Sequence, residues 1–342
     1  MTEKLSLLER LSKGVVLGAE GYVFELERRG YIKAGPYVPE VVLDYPEAVK
    51  ELHREFLLAG AEVMVALTYY GDREKMKVVG REGDLEALNR QAVRLAREVA
   101  AEGNALVAGN IANTWVYDHH NKEATSKKVR QIYTEQVGWA VDEGADFIIA
   151  ETIDYLGEGL LALEVIKKFG LPAMITFGAT QDTLRDGAGF VEACKTLASE
   201  GADVVGLNCS RGPATMLPLL KAIRQEVSNY VAAQPVPYHT NPEQFAFQHL
   251  RLPGRERGFP IALEPFMCDR FEMADFAKQA LEIGVNYIGI CCGGAPHHVR
   301  AMAEALGRTP PASRYSPDLA LHPMIGADVK DKDREFLDFW KD

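Results

Sequence analysis

Residues 287–296 read YIGICCGGAP, an apolar run that delivers two adjacent cysteines into a glycine turn. Residues 204–213 repeat the design as VVGLNCSRGP, with one cysteine before Gly-Pro opens a predicted helix. If both runs are parallel strands of one sheet, they end at the same edge. The pattern therefore predicts a parallel sheet that brings the thiols of Cys209, Cys291 and Cys292 together at its carboxyl edge.

The three thiols form a candidate zinc site. Zinc takes cysteine sulfur readily, and a site with three protein ligands leaves one tetrahedral position for a substrate. The two motifs lie too far apart in the chain for a zinc finger, whose cysteines come in closely spaced pairs. The other interpretation is that all three are buried packing residues, the commonest role of free cysteine.

Short apolar segments alternate with longer amphipathic ones from about residue 15 onward, a pattern typical of βα units around a parallel sheet. Eight such units in a chain of this length fit a (β/α)8 TIM barrel, an α/β fold whose active site lies at the carboxyl ends of the strands. The predicted strands are Val15–Ala19, Glu62–Leu67, Ala105–Asn110, Asp146–Glu151, Ala173–Phe177, Asp203–Cys209, Tyr230–Pro235 and Tyr287–Cys292.

Helical spacing of apolar residues predicts a helix after most of these strands. Asp84 is the expected N-cap of the predicted helix Leu85–Ala101. The predicted helices are Pro46–Ala59, Leu85–Ala101, Glu135–Val141, Glu158–Phe169, Gly189–Ser199, Ala214–Val227, Glu272–Ile283 and Pro296–Leu306.

The chain is predicted to divide into a barrel, residues 1–308, and a carboxyl-terminal extension, residues 309–342. After strand 7, the long connection 237–262 is rich in proline and glycine and is a candidate lid over the site. The extension ends with aromatic residues at 336–340. We expect this tail to dock on the barrel or on a neighbouring subunit, which makes a homo-oligomer one expectation.

The composition indicates a globular protein that binds small molecules. A net charge of -11 argues against nucleic acid and membrane as partners, because both require a basic surface. The first residues lack the apolar core of a signal peptide, and no apolar run approaches the ~20 residues of a membrane span, so a cytoplasmic location is expected. Five cysteines, an odd number, favour reduced thiols, and Cys194 and Cys268 are interpreted as packing residues.

Several motifs in the same order resemble the homocysteine S-methyltransferase family, and within it the members that use betaine. The resemblance covers roughly residues 7–307 and rests on the two cysteine motifs with GYIKAGP at 30–36, HREF at 53–56 and PYHT at 237–240. It implies zinc-dependent transfer of a methyl group from glycine betaine to the sulfur of L-homocysteine, giving methionine and dimethylglycine. Zinc would hold that sulfur as thiolate, its reactive form. No catalytic residue beyond the zinc site is implied, because the reaction needs positioning rather than a general base.

The resemblance also implies the residues that bind homocysteine. Glu151, at the end of the fourth predicted strand, matches the carboxylate that binds the ammonium group. The backbone of the first turn, which includes Glu20 and Gly21, would hold the carboxylate of the amino acid. Ala19-Glu20-Gly21 stands where the animal betaine enzymes have Asp-Gly-Gly, so Glu20 is predicted to replace the missing aspartate one position along.

The methyl donor is expected to sit against aromatic rings, because a quaternary ammonium is best held by cation–π contacts. Tyr70 matches the donor-pocket tyrosine of the family, and Tyr37 stands where the betaine enzymes carry a tryptophan. Thr152 replaces an aromatic residue expected after Glu151. Glu264 is expected either to face the pocket or to support the base of the lid; both tyrosines could instead be packing residues.

The histidines are not predicted to bind metal. Adjacent side chains rarely face the same way, so His119-His120 and His297-His298 are interpreted as solvated surface residues. His239 lies in the predicted lid.

Three other functions remain open. The first keeps the acceptor and takes the methyl group from a sulfonium, such as S-methylmethionine or dimethylsulfoniopropionate. The second is a barrel that works as one module with a cobalamin or folate partner. The third is a non-catalytic zinc-binding barrel, for which loss of zinc would remove no activity.

Overall fold

The computed structural model of the chain describes residues 4–252, 254, 257–322 and 326. Within these residues, eight strands form one parallel sheet. The strands are β1 Val16–Leu17, β2 Val63–Val65, β3 Leu106–Ala112, β4 Phe147–Ile153, β5 Ala173–Gly178, β6 Val204–Asn208, β7 Tyr230–Gln234 and β8 Tyr287–Ile288. Their order is β1-β8-β7-β6-β5-β4-β3-β2.

The sheet curls until its two ends meet. Glu62 N, just before β2, donates to Leu17 O of β1 at 2.7 Å, and Leu17 N donates to the Glu62 carboxylate at 2.9 Å. Every residue of β3, β4, β5 and β6 is buried, as expected for parallel strands covered by helices. The fold is therefore the (β/α)8 TIM barrel that the alternating pattern predicts.

All eight predicted strands are present, with small differences at their ends. The largest concerns β8, which ends at Ile288, so that Cys291 and Cys292 lie on the loop after the strand. Cys291 N still donates to Pro235 O at 2.9 Å, which holds this loop beside the end of β7.

Helices cover the outside of the barrel. They are α1 Leu7–Lys13, α2 Tyr22–Arg28, α3 Val41–Asp44, α4 Pro46–Leu58, α5 Arg73–Met76, α6 Leu85–Gly103, α7 Lys122–Asp142, α8 Leu156–Lys168, α9 Phe190–Ser199, α10 Pro213–Glu226, α11 Arg270–Ile283 and α12 Pro296–Ala305.

The eight predicted helices all lie within or overlap these segments, and four short helices, α1, α2, α3 and α5, were not predicted. The prediction was much too short for α7, whose first turns contain no large apolar side chain; its buried face begins at Val129. Asp84 lies at the start of α6 but makes no side-chain cap. Its carboxylate instead accepts a hydrogen bond from Arg81 Nε at 2.7 Å.

The long loop after β7 runs to the start of α11 and contains the predicted lid. Two short 3-10 helices, Phe247–His249 and Glu264–Phe266, lie within it. An antiparallel bridge between Tyr238 and Met267 joins its two ends. Phe247 N donates to Ser210 O at 2.8 Å, which attaches the loop to the end of β6. The loop therefore lies against the carboxyl edge of the barrel.

The chain continues past α12 in two further 3-10 helices, Pro311–Tyr315 and Leu319–Leu321. The aromatic tail at 336–340 lies outside the described residues, so the boundary at residue 308 and the docking role of the tail stay predictions. No helix in the described part of the chain is long and apolar enough to cross a membrane.

Candidate active site

The sulfur atoms of Cys209, Cys291 and Cys292 meet at the carboxyl ends of β6 and β8. Cys209 Sγ lies 3.7 Å from Cys292 Sγ, and Cys291 Sγ lies 3.9 Å from Cys292 Sγ. All three atoms lie within 4.8 Å of one another. Three sulfurs bound tetrahedrally to zinc at about 2.3 Å would be about 3.8 Å apart. The spacing and chemistry of these donors therefore fit a zinc ion with one free position.

Unusual backbone conformations present these cysteines. Cys209 and Ser210 both have positive φ, 56° and 60°, which non-glycine residues adopt rarely. Gly293, directly after Cys292, has φ 87°, and a Cβ added there would overlap the Tyr238 hydroxyl group. Glycine is required at this turn, which explains the sequence that follows the cysteine pair.

A cavity of about 270 Å³ opens beside the sulfurs. One part of its wall is acidic or polar, and another is aromatic. The lining includes the three cysteines together with Glu20, Glu151, Asn110, Thr152, Tyr37, Tyr69, Tyr70, Trp115, Phe247, Phe259 and Arg185.

Two buried carboxyl groups lie next to the cysteines. Carboxylate oxygens of Glu20 and Glu151 and the sulfur of Cys291 all lie within 4.8 Å of one another. Burial raises the pKa of Glu20 to about 7, and burial together with the neighbouring Glu20 raises the pKa of Glu151 well above its usual range. Neither carboxylate oxygen of Glu20 has a hydrogen-bond partner among the described residues. The pair therefore forms a site that a cationic group would satisfy.

Amide side chains hold Glu151 in place. Asn110 Nδ2 donates to Glu151 Oε1 at 2.6 Å, and Asn208 Nδ2 donates to Glu151 Oε2 at 3.0 Å. Asn208 Oδ1 in turn accepts from Thr152 N at 2.7 Å and from the Thr176 hydroxyl at 2.9 Å. These contacts show that Asn208, at the end of β6, orients Glu151.

Tyrosine and tryptophan rings form the aromatic wall. The rings of Tyr69 and Tyr70 stack with centroids 4.3 Å apart, and Trp115 meets Tyr70 edge-on at 5.3 Å. Tyr37, another lining residue, stacks on Phe24 at 5.4 Å. Both tyrosines singled out in the sequence, Tyr37 and Tyr70, therefore line the cavity.

Two predicted substrate residues are not among those that line the cavity. The Glu264 side chain is 63% exposed and lies 3.7 Å from Arg28 Nε, and its role at the base of the long loop stays a prediction. A Cβ on Gly21 would overlap the Gly294 carbonyl oxygen. Gly21 thus allows the first turn to approach the loop that carries Cys291 and Cys292.

Sequence reasoning missed several lining residues. Trp115 follows β3 much as Tyr70 follows β2, so its position after a strand end is a signal for the site. Phe247 and Phe259 come from the long loop, and no periodic pattern indicates which of its side chains turn inward. Arg185 is the one lysine or arginine among the described residues that line the cavity, and it carried no sequence signal.

The histidine predictions were partly right. His120 is exposed, whereas His298 is fully buried and was wrongly interpreted as a surface residue. His298 Nε2 donates to Cys268 O at 3.2 Å, and Nδ1 accepts from Ala295 N at 3.2 Å, so the ring joins two loops. His239 is exposed and lies 2.8 Å from a Glu272 oxygen.

Comparison with known proteins identifies the family of the chain. The family model described as homocysteine S-methyltransferase matches residues 20–306, and the chain therefore belongs to the homocysteine S-methyltransferase family. It is an enzyme of the methyltransferase class. Betaine–homocysteine S-methyltransferase 1 of Xenopus tropicalis is 39% identical over 99% of this chain and 85% of its own. The S-methylmethionine–homocysteine S-methyltransferase of Rattus norvegicus is 37% identical over 91% of this chain and 85% of its own.

Solved structures share the barrel. The metallated form of the homocysteine methyltransferase MmuM from Escherichia coli superimposes with a TM-score of 0.68 at 20% sequence identity, covering 85% of this chain and 96% of that one. The oxidized form of the same protein also has a TM-score of 0.68, at 20% identity over 87% of this chain and 98% of that one. At this identity the likeness supports the fold.

Proposed function

We propose that the protein is a zinc-dependent transferase that moves a methyl group from glycine betaine to the sulfur of L-homocysteine. The observation that carries the proposal is the meeting of three cysteine sulfurs, a buried carboxylate pair and an aromatic wall in one cavity. The sulfurs would hold the zinc that binds the homocysteine sulfur, and the carboxylate pair would bind its ammonium group. The aromatic wall would bind the trimethylammonium group of glycine betaine. The products are methionine and dimethylglycine.

Cys209, Cys291 and Cys292 would hold the zinc ion. When bound there, zinc supplies the electrostatic stabilisation that keeps the homocysteine sulfur a thiolate at neutral pH. The chain's own residues then orient the amino acid. Glu151, held by Asn110 and Asn208, accepts hydrogen bonds from the ammonium group.

Glu20 is proposed to share the ammonium group with Glu151. Its unpartnered oxygens are close to Glu151, and an added positive charge would favour the ionised form of both carboxyl groups. In this way Glu20 would compensate for the aspartate that the animal betaine enzymes have one position earlier.

The aromatic wall is proposed to bind the donor. Tyr70, Trp115 and Tyr37 line the part of the cavity where the trimethylammonium group would lie. The Lys75 ammonium already lies over the Tyr70 ring, 4.3 Å from its centroid, so the donor would share this aromatic wall with a buried cation. The guanidinium of Arg185 suits the carboxylate at the other end of glycine betaine. Transfer then needs the methyl carbon in line with the thiolate, and the cavity supplies position and exclusion of water.

A sulfonium donor is the second candidate, because the rat relative whose name specifies S-methylmethionine is nearly as similar as the betaine enzymes. Purified protein should be incubated with homocysteine and, separately, glycine betaine, S-methylmethionine or dimethylsulfoniopropionate, while methionine is measured. We expect the highest kcat/KM with glycine betaine, with one dimethylglycine formed per methionine. Faster turnover of a sulfonium would replace the proposed donor, and no turnover with any cationic donor would overturn the proposal.

A further inference from the structure

A second group of metal-ligand side chains lies outside the cavity, where the long loop after β7 begins and ends. Ligand atoms of His239, Cys268 and Glu272 all lie within 4.8 Å of one another. We propose that these three residues bind a second divalent ion, with zinc as the ion that suits them best. This site is separate from the three sulfurs assigned to homocysteine activation.

The backbone brings these residues together before any ion binds. His239 N donates to Phe266 O at 2.7 Å, and Cys268 N donates to Pro237 O at 2.9 Å. These bonds flank the antiparallel bridge between Tyr238 and Met267. The first and last residues of the long loop are thus held side by side, so little rearrangement is needed to close a site.

The carboxylate of Glu272 is also fixed. Its Oε2 accepts a hydrogen bond from Asp269 N at 2.7 Å in the capping box of α11, which leaves Oε1 turned toward His239 Nε2 at 2.8 Å. The carbonyl group of Cys268 is held from the other side by His298 Nε2 at 3.2 Å. Such outer contacts orient metal ligands and raise affinity.

The donor set suits a borderline ion. One thiolate, one carboxylate and one neutral imidazole would cancel the charge of a divalent cation, and mixed sulfur, nitrogen and oxygen donors favour zinc or cobalt over magnesium or calcium. Cys268 is 3% exposed, whereas the side chains of His239 and Glu272 are 54% and 46% exposed. The ion would enter from solvent and keep water as its remaining ligand.

The ion would fasten the two ends of the loop that supplies Phe247 and Phe259 to the cavity wall. Tyr238, which precedes His239, points the other way and abuts Gly293 beside Cys292. The second site therefore lies beside the same bridge, between Tyr238 and Met267, whose Tyr238 packs against the cysteine loop, and it is a structural site rather than a reacting one.

Cobalt binding tests the proposal without requiring methyl transfer. Full-length protein is first loaded with one equivalent of zinc, and Co²⁺ is then titrated while the cobalt–thiolate charge-transfer absorption is followed. Bound metals are counted by mass spectrometry after gel filtration. We expect the protein to bind one equivalent of Co²⁺ in addition to the zinc, with an absorption band typical of a single thiolate ligand.

Three variants and one control locate the ion. Cys268→Ser should remove the band, and His239→Ala and Glu272→Gln should each weaken binding by at least about tenfold. Cys194→Ser, which changes a buried cysteine in α9, should leave the second equivalent intact. His239 is exposed, so its variant tests the site even if Cys268→Ser fails to fold. Absence of a second equivalent in the wild type, or a band that survives all three substitutions, would overturn the proposal.

Discussion

Asn208 Nδ2 donates a hydrogen bond to Glu151 Oε2 at 3.0 Å, and Asn208 is the residue directly before Cys209. One strand end therefore carries both a sulfur of the proposed zinc site and the amide that orients the proposed ammonium-binding carboxylate. The two ends of a bound homocysteine would be positioned by adjacent residues of β6 and its loop.

Replacing Asn208 by Ala should weaken homocysteine binding. A hydrogen bond to a charged group contributes about 1.5–3 kcal/mol, which corresponds to a loss of about 10–100-fold in kcat/KM for homocysteine. Thr176→Val is the matched control, because it removes a bond to Asn208 Oδ1 and leaves the bond to Glu151. Steady-state kinetics with parallel zinc analysis measures the effect. An unchanged kcat/KM with zinc still bound would contradict the role of Asn208.

Replacing Cys291 by Ala should remove both zinc and turnover, because two sulfurs cannot complete the site. We expect at least about a hundredfold loss of kcat together with loss of the metal. Cys194→Ala serves as control, since Cys194 is buried in α9 away from the cavity lining. Retained zinc in Cys291→Ala would argue against the site. Zinc loss without any loss of activity would favour the non-catalytic interpretation.

Replacing Tyr70 by Leu should raise the KM for the donor and leave the KM for homocysteine nearly unchanged. A cation–π contact is worth about 0.5–2 kcal/mol, so we expect an increase of about 2–30-fold. Tyr70→Phe keeps the ring face and should stay close to the wild type. Equal KM values for the Phe and Leu variants would show that the ring does not bind the cation.

Replacing Gly293 by Ala should destabilise the protein more than the same change at Gly187. Both glycines have similar positive φ, 87° and 84°, and only Gly293 has a side chain, Tyr238, in the space that a Cβ would take. The backbone strain costs about 1–2 kcal/mol at either position. The overlap at Gly293 should add about 1–3 kcal/mol. Urea unfolding of both variants measures the difference in unfolding free energy. Equal losses of unfolding free energy would show that Tyr238 does not lie as close to Gly293 as described.

The buried imidazole of His53 should make the protein less stable in acid. Burial lowers the pKa of His53 to about 3, compared with about 6.5 in the unfolded chain. The unfolded chain then binds more protons, so this contribution is complete above pH 6.5 and falls by up to about 1.4 kcal/mol per pH unit as the pH drops toward 3.

His53→Leu tests this contribution. The slope of unfolding free energy against pH between about 6 and 4 should be smaller in His53→Leu than in the wild type, because the titrating group is absent. Urea unfolding at several pH values provides the slopes. Parallel curves for the two proteins would show that His53 does not contribute.

The sequence alone was sufficient to predict the barrel and the three cysteines that meet at its edge. Runs such as β6 are apolar, β-branched and bounded by turn residues, so local pattern alone locates them. The convergence of Cys209, Cys291 and Cys292 can be predicted because parallel strands end at one edge of the sheet. This rule requires no knowledge of tertiary contacts.

Side chains from irregular segments could not be located in this way. Glu264 and Phe247 belong to the same long loop, but Glu264 is exposed and Phe247 lines the cavity. The burial of His298 likewise depends on Cys268, which lies in a different loop. Such positions are fixed by tertiary contacts, and a periodic pattern contains no information about them.

The separation of the sulfurs along the chain constrains the order of events during synthesis. A ribosome that has completed β6 has produced Cys209, but Cys291 and Cys292 appear only after β8, near the end of the barrel. Until then a nascent chain contains only one of the three sulfurs of the proposed zinc site. If zinc binds there, all three ligands can hold it only after residue 292 has been made.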